Sequence, residues 1–322
     1  MQLADVPSLV LQGFAVVWGL LWGSFANVVI YRLPRDMSVV RPRSHCPHCS
    51  HPIAAWHNVP VLSWLWLRGK TACCNRPIAI RYPIVEALGA MYAVAVLQLL
   101  VLPLAPDTSL TYAAAVFMVY FALGLGLMAA AFIDIDHLIV PDSISIGGIV
   151  LGLATFWMRP HTSVWMCIAA ATAGFVLVWF VFGVLYRRLR GRTGMGLGDA
   201  KLLALAGAWF GFEGLAFTLF AGAVQGLVAA IVAAVVRGRV QESSAVEQQR
   251  REILAKIEAI DDEKQRADAL ASLADDPIFE PTGDGIGSMR VAFGPFLVLA
   301  ILEYVLLGEA IVQGYRDMLW IA

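Results

Sequence analysis

Predominantly apolar runs of about 17 to 24 residues alternate with polar stretches along most of the chain. A helix of that length covers the ~30 Å hydrocarbon core of a bilayer, and such runs recur too often to be buried core helices. Eight spans are predicted, at 8–30, 83–105, 112–133, 142–158, 163–186, 199–212, 214–236 and 291–313. The sixth is short and requires a tight turn near Gly211 to Gly214. The expected fold is an all-α polytopic membrane protein with a small cytoplasmic Cys-rich loop domain.

Composition agrees. Hydrophobic residues make up 59% of the 322 and charged residues 15%, outside the range of soluble domains. The loops after spans one, three, five and seven, with their edges, hold 21 of the 23 Lys and Arg; the opposite side has only Arg159 and Arg316. By the positive-inside rule these loops are cytoplasmic and both termini lie on the far side. The first apolar run lacks a basic leader region and contains Ser24 and Asn27, so a removed signal peptide is not expected. The net charge of −1 says little about partners, and no nucleic acid is expected among them.

The domain reading is a first transmembrane helix at 1–30, a Cys-rich cytoplasmic unit at 31–82, a transmembrane core at 83–236, a polar insert at 237–290, and a last helix and tail at 291–322. The insert should begin with a helix. Ser244 and Glu247 fit a capping box, and Glu247/Arg251, Glu252/Lys256 and Asp262/Arg266 are acid-first pairs four apart. Residues 275–288 read as a flexible connector.

Ionisable groups at membrane depth call for an explanation. Span three ends in "FIDIDHLIVPD", which carries Asp134, Asp136 and Asp142; span six opens with "GMGLGDAKL", which carries Gly196, Gly198, Asp199 and Lys201. Both stretches fall on the cytoplasmic side. Two facing carboxylates can share a proton, one activating water while the other polarises a peptide carbonyl. The glycines allow close approach of another backbone. The same acids also read as helix N-caps or as an ion pathway, and the residues alone leave all three readings open.

"GMGLGDAKL" nevertheless looks like the GxGD signature of intramembrane aspartic proteases. With "FIDIDHLIVPD" it resembles the type IV prepilin peptidases, peptidase family A24. "GSFANVVIYRLP", "CPHC", "RYPIVE" and "FGPFL" are similar to other blocks of that family in the family's order, and the resemblance fails only near 237–289. It implies a bacterial inner-membrane enzyme with two activities. One removes the leader of type IV prepilins or type II secretion pseudopilins at the cytoplasmic face; the other methylates the new N-terminal amine with S-adenosylmethionine. Carried over by motif, Asp134 and Asp199 are the catalytic pair, with Gly196, Gly198, Asp136, Asp142 and Lys201 in support. Gly23, Asn27, Arg32, Arg81 and Glu86 bracket the cytoplasmic unit and are candidates for holding the methyl donor.

Four of the five cysteines lie in that unit, on the reducing side of the membrane, where a disulfide framework is not expected. Cys46 and Cys49 form a CxxC knuckle suited to zinc. Counting back from "RYP", the family's second pair falls on Thr71 and Cys74, with Cys73 adjacent. The expected zinc ligands are Cys46, Cys49, Cys73 and Cys74, with His45, His48, His51 or His57 as substitutes for Cys73. Two readings from other classes remain: an ion-coupled transporter, and a non-catalytic assembly factor using the polar insert.

Overall fold

The computed structural model describes residues 1–46, 48–159, 162–190, 195–237, 244–260, 262–273, 279 and 292–321. Its regular elements are helices: α1 (Ser8–Arg32), α2 (Leu62–Trp66), α3 (Arg81–Val96), α4 (Leu110–His137), α5 (Asp142–Ala154), α6 (Val164–Leu177), α7 (Tyr186–Arg190), α8 (Leu197–Arg237), α9 (Ser244–Glu258), α10 (Glu263–Ser272) and α11 (Gly294–Ile321). Among the described residues there is no strand, only isolated bridges.

Among the described residues, five helical stretches are long and apolar enough to cross a membrane: Ser8–Arg35, Arg81–Val101, Leu110–His137, Val164–Leu185 and Leu197–Ala233. The expected count of eight is not reproduced, although each expected segment is helical. The fourth shortens to α5, whose 13 residues span about 20 Å, less than a hydrocarbon core. The eighth contributes a shorter apolar helix, Gly294–Gly308. Segments six and seven join in α8, broken at Gly211 by φ 65° and ψ −155°. Such a backbone favours glycine, so the break falls at one end of the expected turn.

The chain divides into two compact units, Met1–Ala129 with Val305–Leu307, and Ala130–Tyr304 with Gly308–Ala322. In the first, α1 and α3 close on a glycine seam. A Cβ on Gly19 would lie 2.5 Å from the Ala90 Cα, and one on Gly89 would lie 2.6 Å from the Gly19 carbonyl oxygen. Apolar lipid gives helices little hydrophobic reason to associate, so backbone approach through small residues supplies dispersion contact instead.

In the second unit, the start of α8 packs on α5 and α6. Leu205 fills the space beside Gly148, Gly207 meets the Ala170 backbone, and the Trp209 indole donates to the Gly148 carbonyl at 2.8 Å. Beyond Gly211, α8 packs on α11 through Gly222 against Leu297 and Gly226 against Phe293. A Gln225–Glu303 hydrogen bond of 2.7 Å adds a polar tie.

The polar insert forms two helices where one was expected. The side chains at the proposed Ser244/Glu247 capping box lie outside the described ones, as does all of 275–288 but Phe279. The Asp262/Arg266 ion pair gives way to local bonds. Asp262 caps α10 by accepting from the amides of Lys264 and Gln265, while Arg266 donates to the Ile260 carbonyl. A side chain that satisfies orphan helix amides gains more than an exposed i,i+4 pair.

Candidate active site and metal centre

Asp134 lies in the last turn of α4 and is 6% exposed. The helix stops at Leu138, whose φ of 54° is left-handed, a common helix ending. Pro141 then precedes α5. Across from this turn, Gly198 in the first turn of α8 sits against Val140, and a Cβ there would come within 2.9 Å of the Val140 Cγ2. That missing side chain lets the opening of α8 close on the end of α4. Asp199 is brought near enough to Asp134 for their charges to act on each other.

Each acid has a backbone donor. Asp199 accepts from the Gly196 amide, the N3-to-Ncap half of a capping box. Asp134 accepts from the Gly294 amide at the start of α11, and a Cβ on Gly294 would lie 2.4 Å from the Asp134 Oδ2. Helix-start amides suit negative charge. Gly294 entered the sequence reading only as part of "FGPFL", without a role.

Asp142 and Lys201, both expected to support the acids, are joined in an ion pair between α5 and α8. Asp142 is the first residue of α5, with Pro141 in the N-cap position. Asp136 is two residues from Asp134, about 200° of helical turn.

Cys46, Cys49, Cys73 and Cys74 converge, with their sulfurs all within 4.8 Å of one another. Two similar turns bring them together. His45 bridges to Pro52 in one and Lys70 to Pro77 in the other. The amides of Cys46 and Thr71 bond to the carbonyls of His51 and Arg76, those of Ser50 and Asn75 to the carbonyls of Cys46 and Thr71. Ser50 and Asn75 have φ of 57° and 55°.

Thr71 therefore holds the place in the second turn that Cys46 holds in the first. Its hydroxyl lies 3.2 Å from the Cys74 Sγ and accepts from the Arg76 amide at 3.0 Å, while neighbouring Cys73 supplies the fourth sulfur. The Cys46–Cys74 and Cys49–Cys73 sulfur separations are 3.7 Å and 3.4 Å. Tetrahedral zinc with bonds of about 2.3 Å requires sulfur separations of about 3.8 Å, so the set fits the ion. Hydrogen bonding from the His48 amide, helped by that of Cys49, lowers the Cys46 pKa to about 6 against its burial. The thiolate is the form that binds metal. The Cys49 contact, then burial, push Cys73 up to about 12.

Residues 17–100 match the Bacterial Peptidase A24 N-terminal domain, and residues 121–231 match the Type IV leader peptidase family. A prepilin leader peptidase/N-methyltransferase of Aeromonas hydrophila is 36% identical over 234 residues, covering 65% of this chain and 77% of the relative. One from Neisseria gonorrhoeae is 37% identical over 259 residues, covering 71% and 86%. The chain belongs to the type IV leader peptidase family. No solved structure matches it. The cysteines fall within the first matched stretch and both acids within the second, whereas Gly294 lies outside both.

The residues that the family resemblance nominated for the methyl donor have internal partners. A Cβ on Gly23 would lie 2.8 Å from the Glu86 Cα. Asn27 donates to the Tyr82 carbonyl at 3.0 Å, and Arg32 donates to that of Ser38 at 3.0 Å. Glu86 accepts from the Val61 amide at 2.7 Å and bonds Ser24. Arg81 opens α3. Asn27, Arg32 and Glu86 thus bond to groups within this unit, and Gly23 lies in the α1–α3 seam.

Proposed function

We propose that the chain is a prepilin leader peptidase and N-methyltransferase, with Asp134 and Asp199 as the catalytic pair of the peptidase. The observation that carries the reading is the meeting of two acids from separate helices, each with a backbone donor, where Gly198 and Gly294 let the helix ends close together. A pair holding one proton between them can cleave a peptide bond. The ionised carboxylate takes a proton from water, whose oxygen bonds to the scissile carbonyl carbon. The protonated carboxyl gives its proton to the carbonyl oxygen. Collapse of the tetrahedral intermediate breaks the C–N bond, the amine leaves with the proton the first carboxyl took from water, and a hydroxyl of the intermediate returns its proton to the second carboxyl, restoring the pair. Either carboxyl can be the ionised partner, since each accepts a backbone amide at the start of a helix.

The substrates are type IV prepilins or type II secretion pseudopilins, presented at the cytoplasmic face of the inner membrane. Both termini lie on the opposite side, as the basic loops indicate. Methylation of the product amine uses S-adenosylmethionine, which supplies the methyl group. Zinc would be held by Cys46, Cys49, Cys73 and Cys74; four filled positions make it structural, stabilising the fold of the Cys-rich unit.

The test is incubation of purified protein with a prepilin in detergent, read by mass. Loss of the leader is expected, followed by the gain of one methyl group when S-adenosylmethionine is added. An intact prepilin after incubation with folded, monodisperse protein, across several prepilins, sinks the proposal.

A further inference from the structure

The Cys-rich unit carries a surface that neither the acid pair nor the metal centre uses. Residues 37–85 contain six Lys and Arg and no Asp or Glu, and Arg41, Arg43, Arg68, Lys70 and Arg76 are exposed. Within the same stretch α2 splits into two faces. Trp64 turns inward, its indole donating to the Ile78 carbonyl at 3.1 Å with its ring against Gly69. Leu62, Leu65 and Trp66 turn outward, at 63%, 59% and 88% exposure. The Ser63 hydroxyl donates to the Trp56 carbonyl at 3.1 Å, which holds the Trp56 backbone against α2, and the Trp56 side chain is also exposed.

The height of this surface is set by a bond already described. The Val61 amide, immediately before α2, donates to Glu86 at 2.7 Å. Glu86 lies five residues inside the apolar helical stretch that starts at Arg81, about 7.5 Å along its axis. That ties α2 to the level where the helix enters the membrane. Val61 adopts φ 61° to make the bond, a costly conformation for a β-branched residue, so the tether is imposed by its surroundings.

We propose that this face of the Cys-rich unit docks on the anionic headgroup surface of the membrane that α1 and α3 span. The apolar side chains around Trp66 enter the interface, and the surrounding Arg and Lys meet lipid phosphates. Indoles favour the interfacial zone because one end is apolar and the other polar. Basic side chains near an anionic surface are attracted to it. Apolar insertion and charge together give the two signals that stable interfacial binding needs.

The test uses the full chain in nanodiscs made of phosphatidylcholine alone or with phosphatidylglycerol, and the Trp66→Phe variant subtracted from wild type to isolate the emission of Trp66. In anionic discs, the Trp66 signal is expected to be quenched by lipids brominated near the headgroup and shielded from acrylamide. Arg68→Gln and Lys70→Gln should each weaken the preference for anionic lipid, about fivefold per charge. Equal acrylamide quenching in both discs, with none by bromine, overturns the proposal. So does shielding that appears only after a prepilin is added, which assigns the surface to a protein partner. Trp56→Phe provides the same subtraction at the neighbouring indole, so failure of one variant to fold leaves the test in force.

Discussion

Replacing Gly294 by alanine tests how the candidate catalytic pair is held. The new methyl group would lie 2.4 Å from the Asp134 Oδ2, whereas ordinary contact begins near 3.4 Å, so the carboxylate or the start of α11 must retreat by about 1 Å. Asp134 is buried, which leaves it little room to retreat without losing the Gly294 amide or its alignment with Asp199. A displacement of about 1 Å in a positioned catalytic group costs on the order of 100-fold in rate. Alanine favours helix more than glycine does, so α11 should persist and the loss should fall on kcat with KM little changed. The assay is the initial rate of leader release over a range of prepilin concentrations. Gly147→Ala is the control, since a Cβ there meets nothing within 4 Å. Wild-type kcat in folded Gly294→Ala would refute the reasoning.

Other outcomes follow from the same geometry. Thr71→Cys with Cys73→Ala should keep about one zinc per chain by elemental analysis, because Thr71 holds the equivalent turn position, whereas Cys46→Ala should lose it. Gly89→Val should destabilise the α1–α3 seam by about 1–3 kcal/mol, seen as a lower melting temperature in detergent; no change would mean that the helices part easily. Lys201→Met should cost under about 1 kcal/mol of stability, since the paired side chains are 25% and 63% exposed. If that pair also aligns α8, Lys201→Met should slow cleavage, and the exchange Asp142→Lys with Lys201→Asp should restore part of the rate.

Much of the site could be read from local pattern, because GxGD and the "FIDID" stretch place acids at helix ends by short-range spacing. Gly294 could not. Its importance lies in a contact with a residue distant in the chain, and a glycine next to a proline reads equally well as a turn. Lys201 and Asp142 were both expected to support the acids; their pairing with each other depends on how α5 lies along α8, which neither local sequence encodes. The cysteine register was legible from "RYP", Thr71 does occupy the expected place and Cys73 was among the expected ligands, but the choice of Cys73 over a histidine required the turn geometry. The polar insert illustrates the opposite limit. Charge spacing anticipated Asp262 with Arg266, yet Asp262 found backbone amides and Arg266 a carbonyl. Five stretches pass the length requirement where eight spans were expected, because α5 stops after Ala154, the last apolar helix covers only Gly294–Gly308, and α8 carries two expected segments in one element.

The central claim is that Asp134 and Asp199 act together in cleavage. The most direct measurement compares leader release by wild type, Asp134→Asn and Asp199→Asn, purified side by side, with folding checked by melting and zinc content checked by elemental analysis. Loss of cleavage in both variants, with structure and metal intact, is the predicted result, because an amide can neither take the proton from water nor complete the shared-proton pair. Substantial turnover by either folded variant would contradict the account.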